Sequence, residues 1–440
     1  MKKDIQPDQC ARKRIVILGG GFAGVTLAQQ LGRLTGNSVE VVLISSENHL
    51  VFSPLLPETV GREISPLHVV VSGRQLVRKA YWLTARVTEI DRAAHVVRYV
   101  SSGGERGELA YDHLVVACGS VVDLSAVPGL AECALPLKTL GDAVFLSNHL
   151  IGKLEEAAMK MDAAERQRLL TVVVIGGGFS GVEVAGAVND LMSRALDYYL
   201  QLRGESVRIV LLQRGNRILP ELHAESLSAF ALKKLRTAGI DVRLQVSAKQ
   251  ISDREVVLDN GERIAAETVV CTVGNSANPL LRTLGVQLQR GKLVTEADMR
   301  LSEAGNVWAI GDATAVPNAW DGKPSPPTAQ FAIRQAKQLA ANLLRELRGE
   351  ETRPFSYRPL GMMASIGHHN AVAEIGGLRV SGFLAWLLWR SAYLMKMPTV
   401  LRKVEVAIDW TWSLLFRPNI VQVHMARTSR NESVELVSTI

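Results

Sequence analysis

The chain has few cysteines, and none of them is placed for redox or metal chemistry. Only four are present, Cys10, Cys118, Cys133 and Cys271, and no two of them form a Cys-x-x-Cys pair. This spacing argues against a disulfide framework, a zinc site and a redox-active dithiol. We therefore expect reduced or buried thiols and no bound metal.

Other absences narrow the function further. Aromatic residues make up 5% of the chain, and the net charge of +7 is moderate for 440 residues. No long basic run is interleaved with aromatics, so nucleic acid is not an expected partner. Residues 1–10 are polar and lack the apolar core of a signal peptide, so we expect the first domain to fold in the cytoplasm. The length suits two or three domains.

What the sequence does contain is a strand that ends in a glycine turn. Apolar residues after Arg14 lead into Gly19-x-Gly21-x-x-Gly24, and a helical pattern of apolar residues follows. A buried strand that stops at glycines and continues as a helix points backbone N–H groups at a pyrophosphate. The pattern predicts a dinucleotide site in an α/β fold.

The same pattern recurs from Thr171, as Gly176-x-Gly178-x-x-Gly181. Two copies predict two Rossmann-like dinucleotide-binding domains and two nucleotides. When the copies are aligned, Ser45 corresponds to Gln213, Ser46 to Arg214, and Thr26 to Glu183.

The strand after each glycine turn lacks the acid that usually binds the ribose hydroxyls. At the first site, Glu47 or a serine hydroxyl of Ser45 or Ser46 would take that role. At the second site, the neutral amide of Gln213 would not repel a 2′-phosphate, and Arg214 would attract it. One hypothesis is weak discrimination between NADH and NADPH; the alternative is that Gln213 binds the ribose and NADH is preferred.

Five further segments have features of a cofactor site. The apolar loop His49–Pro57 is either a packed connector or a loop over the isoalloxazine end of a flavin. The strand in Tyr111–Ser120 ends in small residues, and Thr268–Gly274 repeats this pattern. The strand in Asn306–Ala313 delivers Asp312, which suits a polyol such as the ribityl chain of FAD, or a turn. Pro326 precedes a predicted helix that reaches about Glu346.

These motifs, taken in order, resemble the type II NADH dehydrogenases, the single-subunit, non-proton-pumping NADH:quinone oxidoreductases. The resemblance also rests on Pro128–Thr139, Gly311-Asp312, Ala329-Gln330 and Arg379–Trp389. It implies that the first glycine motif binds FAD, that the second binds the nicotinamide cofactor, and that a quinone is the electron acceptor.

The resemblance also implies roles for single residues. Asp312 matches a flavin-contacting aspartate, Gln330 a glutamine near quinone and flavin, and Glu183 the acid that follows the second glycine motif. The chain departs from the family at Ser45, Gln213 and Arg334. A fixed cation at Arg334 would polarise a quinone oxygen more strongly than an amide would.

The predicted site therefore has two parts. The predicted catalytic residues are Glu183, Gln330, Arg334 and Gln335. The predicted cofactor-binding residues are Gly19, Gly21, Phe22, Ala23, Gly24, Ser45, Glu47, Pro54, Val87, Ala117, Gly119, Gly176, Gly178, Phe179, Ser180, Gly181, Gln213, Arg214, Gly274, Gly311, Asp312 and Ala329. The predicted domains are an FAD-binding domain in two parts (1–145 and 276–380), a NAD(P)H-binding domain (146–275) and a tail (381–440).

The tail has the composition of helices that lie on a membrane. Residues 383–395 are apolar apart from Arg390 and are too short to span a bilayer. In 404–416, Glu405, Asp409 and Ser413 form one polar stripe. Nearby are four tryptophans and several bases: Trp386, Trp389, Trp410, Trp412, Lys396, Arg402, Lys403 and Arg417.

Such helices suit an interface with anionic lipid, and the alternative is a pair of core or dimer-interface helices. With the family resemblance, we predict a peripheral protein on the cytoplasmic face of the inner membrane, bound through residues 381–421. A homodimer remains open. Two functional alternatives also remain: a soluble NAD(P)H-dependent flavoprotein reductase acting on ferredoxin or a disulfide, and a slow redox-sensing flavoprotein.

Overall fold

The computed structural model describes residues 12–35, 38–302 and 304–423. Cys10, the polar N-terminal segment and the last part of the predicted tail lie outside these ranges. The α-helices are α1 (Phe22–Leu34), α2 (Leu56–Val60), α3 (Gly73–Leu76), α4 (Leu130–Cys133), α5 (Leu140–Ala158), α6 (Ala163–Leu169), α7 (Phe179–Leu196), α8 (Glu225–Thr237), α9 (Ala329–Leu347), α10 (Phe383–Lys396) and α11 (Val400–Leu415).

The strands in the first part of the chain are β1 (Lys13–Leu18), β2 (Val39–Ser45), β3 (His49–Val51), β4 (Val70–Ser72), β5 (Tyr81–Asp91), β6 (Val96–Ser101), β7 (Arg106–Ala110), β8 (His113–Val116), β9 (Ser120–Val122), β10 (Ala134–Pro136), β11 (Thr171–Ile175), β12 (Arg208–Gln213) and β13 (Asp241–Leu244). Those that follow are β14 (Ala248–Ile251), β15 (Glu255–Leu258), β16 (Arg263–Ala265), β17 (Thr268–Cys271), β18 (Asn275–Ala277), β19 (Leu288–Gln289), β20 (Lys292–Leu293), β21 (Arg300–Leu301), β22 (Ala304–Ala309), β23 (Gly361–Gly367), β24 (Asn370–Ile375) and β25 (Leu378–Gly382).

The first sheet is built around β1 and has the strand order β21-β22-β8-β1-β2-β5-β6-β7. Its centre, from β22 to the start of β5, is parallel. Parallel strands covered on both faces read as continuous apolar runs. Accordingly, Ile15 and Ile17 pack on one face of β1, and Val16 and Leu18 on the other. Helices α1 and α9 pack together over the first of these faces.

The second sheet is parallel and has the order β10-β17-β11-β12-β13. Strand β10 (134–136) pairs with β17, so the second sheet includes residues that precede the predicted domain boundary at 145/146. The domain boundaries themselves stay a prediction. Helix α5 belongs to the same unit because Leu146, Leu150 and Leu154 are buried in its core. It begins with a capping box, in which Thr139 and Asp142 bind each other's backbone N–H groups. The chain then returns to the first sheet when β22 pairs with β8.

The C-terminal part joins these two units to the last helices. Strands β23, β24 and β25 form an antiparallel sheet that contacts α7 through β23 and α10 through β24. Helices α10 and α11 close a separate apolar core with Phe52, Leu55 and Ile64 from the segment after β3. Across residues 12–35, 38–302 and 304–423, no helix is both long and apolar enough to cross a bilayer.

Candidate active site

The two glycine turns have the same backbone conformation. Gly19 and Gly176 have φ values of +116° and +111°, in a region that favours glycine. Gly21 and Gly178, the residues that precede α1 and α7, also match, with φ of −80° and −76°. Neither helix start is capped by a side chain. Both turns therefore offer free N–H groups to a phosphate, as the sequence predicts.

The last glycine of each turn allows close packing of the helix on the turn. A Cβ added to Gly24 would lie 1.9 Å from the carbonyl oxygen of Gly19, and one on Gly181 would lie 1.7 Å from that of Gly176. Gly21 differs, because a Cβ there would meet no atom within 4 Å. The open space above Gly21 suits the close approach of a dinucleotide pyrophosphate.

The residues at the ends of β2 and β12 occupy equivalent places, in agreement with the sequence alignment. Ser45 lies against Gly20, and Gln213 lies against Gly177. Gln213 accepts a hydrogen bond from the N–H of Gly177 at 3.0 Å and donates one to the carbonyl of Arg217 at 3.1 Å. Ser46, Glu47 and Arg214 are exposed beside these positions. Both ends of the Gln213 amide are thus held by the turn itself.

Asp312 lies at the carboxyl end of β22, in a cleft that also contains Gly119 and Lys292. Burial raises the pKa of its carboxyl group, and the charges of Lys138 and Lys292 act in the opposite direction. Ala117 lies against Gly19 at the same edge of the sheet. Asp312, Gly119 and the first glycine turn therefore lie at neighbouring carboxyl ends of parallel strands, where ligands bind in such folds. Of the other predicted contacts, Pro54 lies just before α2 and Val87 lies within β5, past the end of β2.

Helix α9 places the three predicted quinone-site residues in different surroundings. Gln335 is buried, and its Oε1 accepts the N–H of Gly311 at 2.8 Å. The Oε1 of Gln330 accepts the hydroxyl of Tyr357 and the N–H of Leu360, at 2.6 and 2.8 Å. Arg334 is exposed and stacks over the Tyr357 ring. Gln335 therefore positions the Gly311-Asp312 turn, while Gln330 joins the start of α9 to the segment before β23.

Glu183 lies in the first turns of α7 and lines a cavity between α7 and α10. Its Oε1 accepts the N–H of Ser365 at 3.1 Å. Burial raises the pKa of Glu183 to about 8, although the Ser365 N–H and the nearby Trp389 indole act against this. A carboxyl group with such a pKa holds a proton near neutral pH, which suits proton transfer.

The cavity brings in a second group of charges that sequence reasoning missed. Glu58 is buried and accepts the indole N–H of Trp410, and Glu63 pairs with Arg390 at 2.8 Å. Burial, followed by the charge of Glu63, raises the pKa of Glu58 to about 8. The only signals in the sequence were an acid inside the apolar 49–60 region and an arginine inside the apolar 383–395 run. Neither signal identifies the partner, because Glu63 and Arg390 are 327 residues apart.

The C-terminal helices correct the prediction for the tryptophans. Trp386, Trp389 and Trp410 are buried, whereas Trp412 is 62% exposed. The physical reason is that these three rings pack in the apolar core that α10 and α11 share with the segment after β3, where Trp386 and Trp410 also cover the guanidinium of Arg390. Three of the four tryptophans therefore anchor the helices to the protein.

The polar stripe of α11 also faces the protein. Asp409 accepts hydrogen bonds from His68 and from the N–H of Ser65, and Ser413 lines the cavity. The outward face of α11 is apolar, and its members recur at helical spacing: Leu401, Val404, Ile408, Trp412 and Leu415, each at least 51% exposed.

Comparison with known proteins decides the family. Residues 13–336 match the pyridine nucleotide-disulphide oxidoreductase family, and residues 360–418 match the NDH2 C-terminal domain. The type II NADH:quinone oxidoreductase Ndh of Mycobacterium tuberculosis is 31% identical over 421 residues, which cover 92% of this chain and 88% of that protein. The chain belongs to the type II NADH:quinone oxidoreductase family. The resemblance found in the motifs is confirmed.

One further relative and one solved structure extend the comparison, and the solved structure bears on the fold alone. The internal alternative NAD(P)H-ubiquinone oxidoreductase A1 of Arabidopsis thaliana is 27% identical over 449 residues, which cover 94% of this chain and 86% of that protein. The structure of NDH2 from Plasmodium falciparum in complex with NADH superposes with a TM-score of 0.87, at 18% identity, and covers 93% of this chain and 100% of that one. The predicted fold of two Rossmann-like domains is confirmed.

Proposed function

We propose that this chain transfers a hydride from NADH to FAD and two electrons from the flavin to a quinone, without pumping protons. The observation that carries the proposal is the pair of matching glycine turns, each at the carboxyl end of parallel strands in its own sheet. Two such turns accommodate two dinucleotides. The family of the chain supports FAD at the first and a nicotinamide cofactor at the second.

The residues around the first turn suit FAD. The uncapped start of α1 and the open space above Gly21 accommodate a pyrophosphate, and Asp312 offers hydrogen-bond acceptors to a ribityl chain. FAD, when bound, would accept the hydride from the nicotinamide and pass its two electrons on to the quinone. The chain itself binds and orients the partners. Glu183, with its raised pKa, is placed to hold or release a proton.

We also propose that the outer faces of α10 and α11 rest on a membrane. Phe383, Leu384 and Met395 of α10 are exposed by 59–72%, next to the apolar face of α11. A contiguous apolar surface of this kind marks an interaction site, and two short amphipathic helices suit a lipid interface. Attachment to the cytoplasmic face of the inner membrane gives a lipid-soluble quinone direct access.

Steady-state oxidation of NADH by purified holoenzyme, with and without a soluble quinone, tests the proposed function. We expect rapid NADH oxidation that requires the quinone and yields quinol in equal amount. Turnover supported by ferredoxin or a disulfide instead would favour a soluble reductase. Slow turnover with every acceptor would favour the redox-sensing alternative.

A further inference from the structure

The cavity at Glu183 extends well beyond that residue. Its floor is one face of α7, because Glu183, Ala187, Asp190 and Arg194 recur every three or four residues. Glu58 and Glu63 form the opposite wall, together with Trp386 and Trp389 of α10. The cavity thus joins the helix after the second glycine turn to the C-terminal helices.

Four carboxyl groups share this space with few cations. Glu58, Glu63, Glu183 and Asp190 line it, and the facing guanidinium groups are those of Arg390 and Arg194. His368 and His369 lie at the rim. Burial raises the pKa of Glu63 and Asp190, as it does for the other two acids. Clustered carboxylates with poor solvation cannot all ionise, so the group retains protons near neutral pH.

The cavity also has a polar group that lacks a partner. Trp389 is 1% exposed, and its Nε1 has no hydrogen-bond partner among the described residues, although it faces Glu183. A buried N–H in a polar cavity is normally satisfied by a hydrogen bond, which the Glu183 carboxyl group or a water molecule would provide. Asp190 is half-buried and His368 is exposed, so water reaches the cavity from this side. The N–H of His368 donates to Asp190 at 2.7 Å and fixes this rim.

We propose that Glu58 and Glu63 relay to Glu183 the proton that quinone reduction consumes, with entry at the rim formed by Asp190 and His368. The inference rests on the proposed function. NADH gives up a hydride, which carries two electrons and one proton, whereas a quinone takes two electrons and two protons to become a quinol. One proton per turnover must therefore come from solvent. Each carboxyl group releases its O–H proton towards Glu183 and regains one from the water side.

Arg390 sets the charge of this relay. It is held between Trp386 and Trp410 and pairs with Glu63, while Glu58 lies 3.9 Å from the same Nη2. One fixed cation against two acids favours a single shared proton between Glu58 and Glu63.

The test uses holoenzyme with Glu58→Gln or Glu63→Gln, since the amide keeps the size of the side chain and still accepts a hydrogen bond. Glu132→Gln, an exposed acid of α4 outside the cavity, is the matched control. In rapid mixing, we expect unchanged flavin reduction by NADH and reoxidation by a soluble quinone slowed roughly tenfold or more. Reoxidation by ferricyanide, which takes electrons without protons, should stay at the wild-type rate.

A second readout does not depend on turnover. The infrared carbonyl stretch of a protonated carboxylic acid, identified by its shift in deuterium oxide, should be present in the oxidised wild-type protein at neutral pH and weaker in both variants. Equal slowing with quinone and ferricyanide, or wild-type quinone rates in both variants, would overturn the relay. A wild-type protein that reduces no quinone would instead contradict the proposed function and the relay with it.

Discussion

The N–H of Gly311 donates a hydrogen bond to Oε1 of Gln335, 24 residues further along the chain, at 2.8 Å. Gly311 has a positive φ of +75° and directly precedes Asp312. The bond ties the turn that carries Asp312 to the buried side of α9. We therefore expect Gln335 to act on the cofactor through the position of Asp312.

Replacing Gln335 with methionine should destabilise the protein by about 1–3 kcal/mol, because the partly buried N–H of Gly311 loses its acceptor. The flavin should also bind more weakly, since Asp312 loses its fixed position. Urea unfolding and flavin content measure the two effects. Lys337→Met, at an exposed position of the same helix, should change neither. Wild-type stability in the Gln335 variant would show that another acceptor replaces the amide.

Gly21→Ala should remove flavin without unfolding the protein. The added methyl group meets no protein atom and the backbone is in an ordinary region, so the melting temperature of the apoprotein should not change. The methyl would fill the space that a pyrophosphate needs, so flavin content should fall sharply. Gly24→Ala should instead lower stability by about 1–3 kcal/mol through its clash with Gly19. Gly305→Ala, in open space on β22, is the control.

Sequence reasoning succeeded where the signal is local. The glycine turns, the strands that lead into them and the start of α9 depend on residues within about one helical turn of one another. Repetition strengthened the inference, because Ser45 and Gln213 could be aligned and lie at equivalent places in the structure. The capping box of α5 is also a local feature, although it was not among those predicted from the sequence.

The contacts that sequence could not supply join distant segments. Periodicity shows that α11 has a polar and an apolar face, but it does not show which face meets the protein. The hydrogen bond between His68 and Asp409 decides this, and the two residues are 341 positions apart. The burial of Trp386 and Trp410 likewise depends on contacts between distant segments, including those around Arg390. Composition alone suggested an interface rather than a core.

The stability of the protein should depend on pH through Glu183. Its pKa is 4.5 ordinarily and about 8 in the folded state, so the folded state binds the extra proton between these values. The free energy of unfolding therefore falls as pH rises through that window, by at most roughly 1.4 kcal/mol per pH unit. Glu183→Gln should reduce this slope between pH 5 and about 8, and the raised pKa of Glu58 should keep part of it. Thermal unfolding across this pH range measures the slope, and an identical slope in the variant would contradict a raised pKa of Glu183.

Gln213→Glu should increase the preference for NADH over NADPH. Wild-type selectivity, as the ratio of kcat/KM values, should stay below about a thousandfold because no carboxylate opposes a 2′-phosphate. Glutamate keeps the acceptor for Gly177 but repels that phosphate, so the ratio should rise about tenfold or more. Arg214→Ala should weaken NADPH alone. If each variant changed kcat/KM by the same factor for NADH and NADPH, the cofactor preference would have to come from other residues.

Substitutions on the outer face of α11 should release the protein from membranes while leaving the fold intact. Removing the whole segment from residue 381 is a poor test, because it also removes Trp389 and Trp410 from the core. Leu401→Ser with Ile408→Ser changes two exposed side chains of one face, each worth about 1.5–3 kcal/mol when buried in lipid. Binding to anionic vesicles should fall at least tenfold, with an unchanged melting temperature. Met159→Ser, at an 83% exposed residue after α5, should not alter binding. If the Leu401/Ile408 double variant bound vesicles as well as the wild-type protein does, the membrane would have to contact another surface.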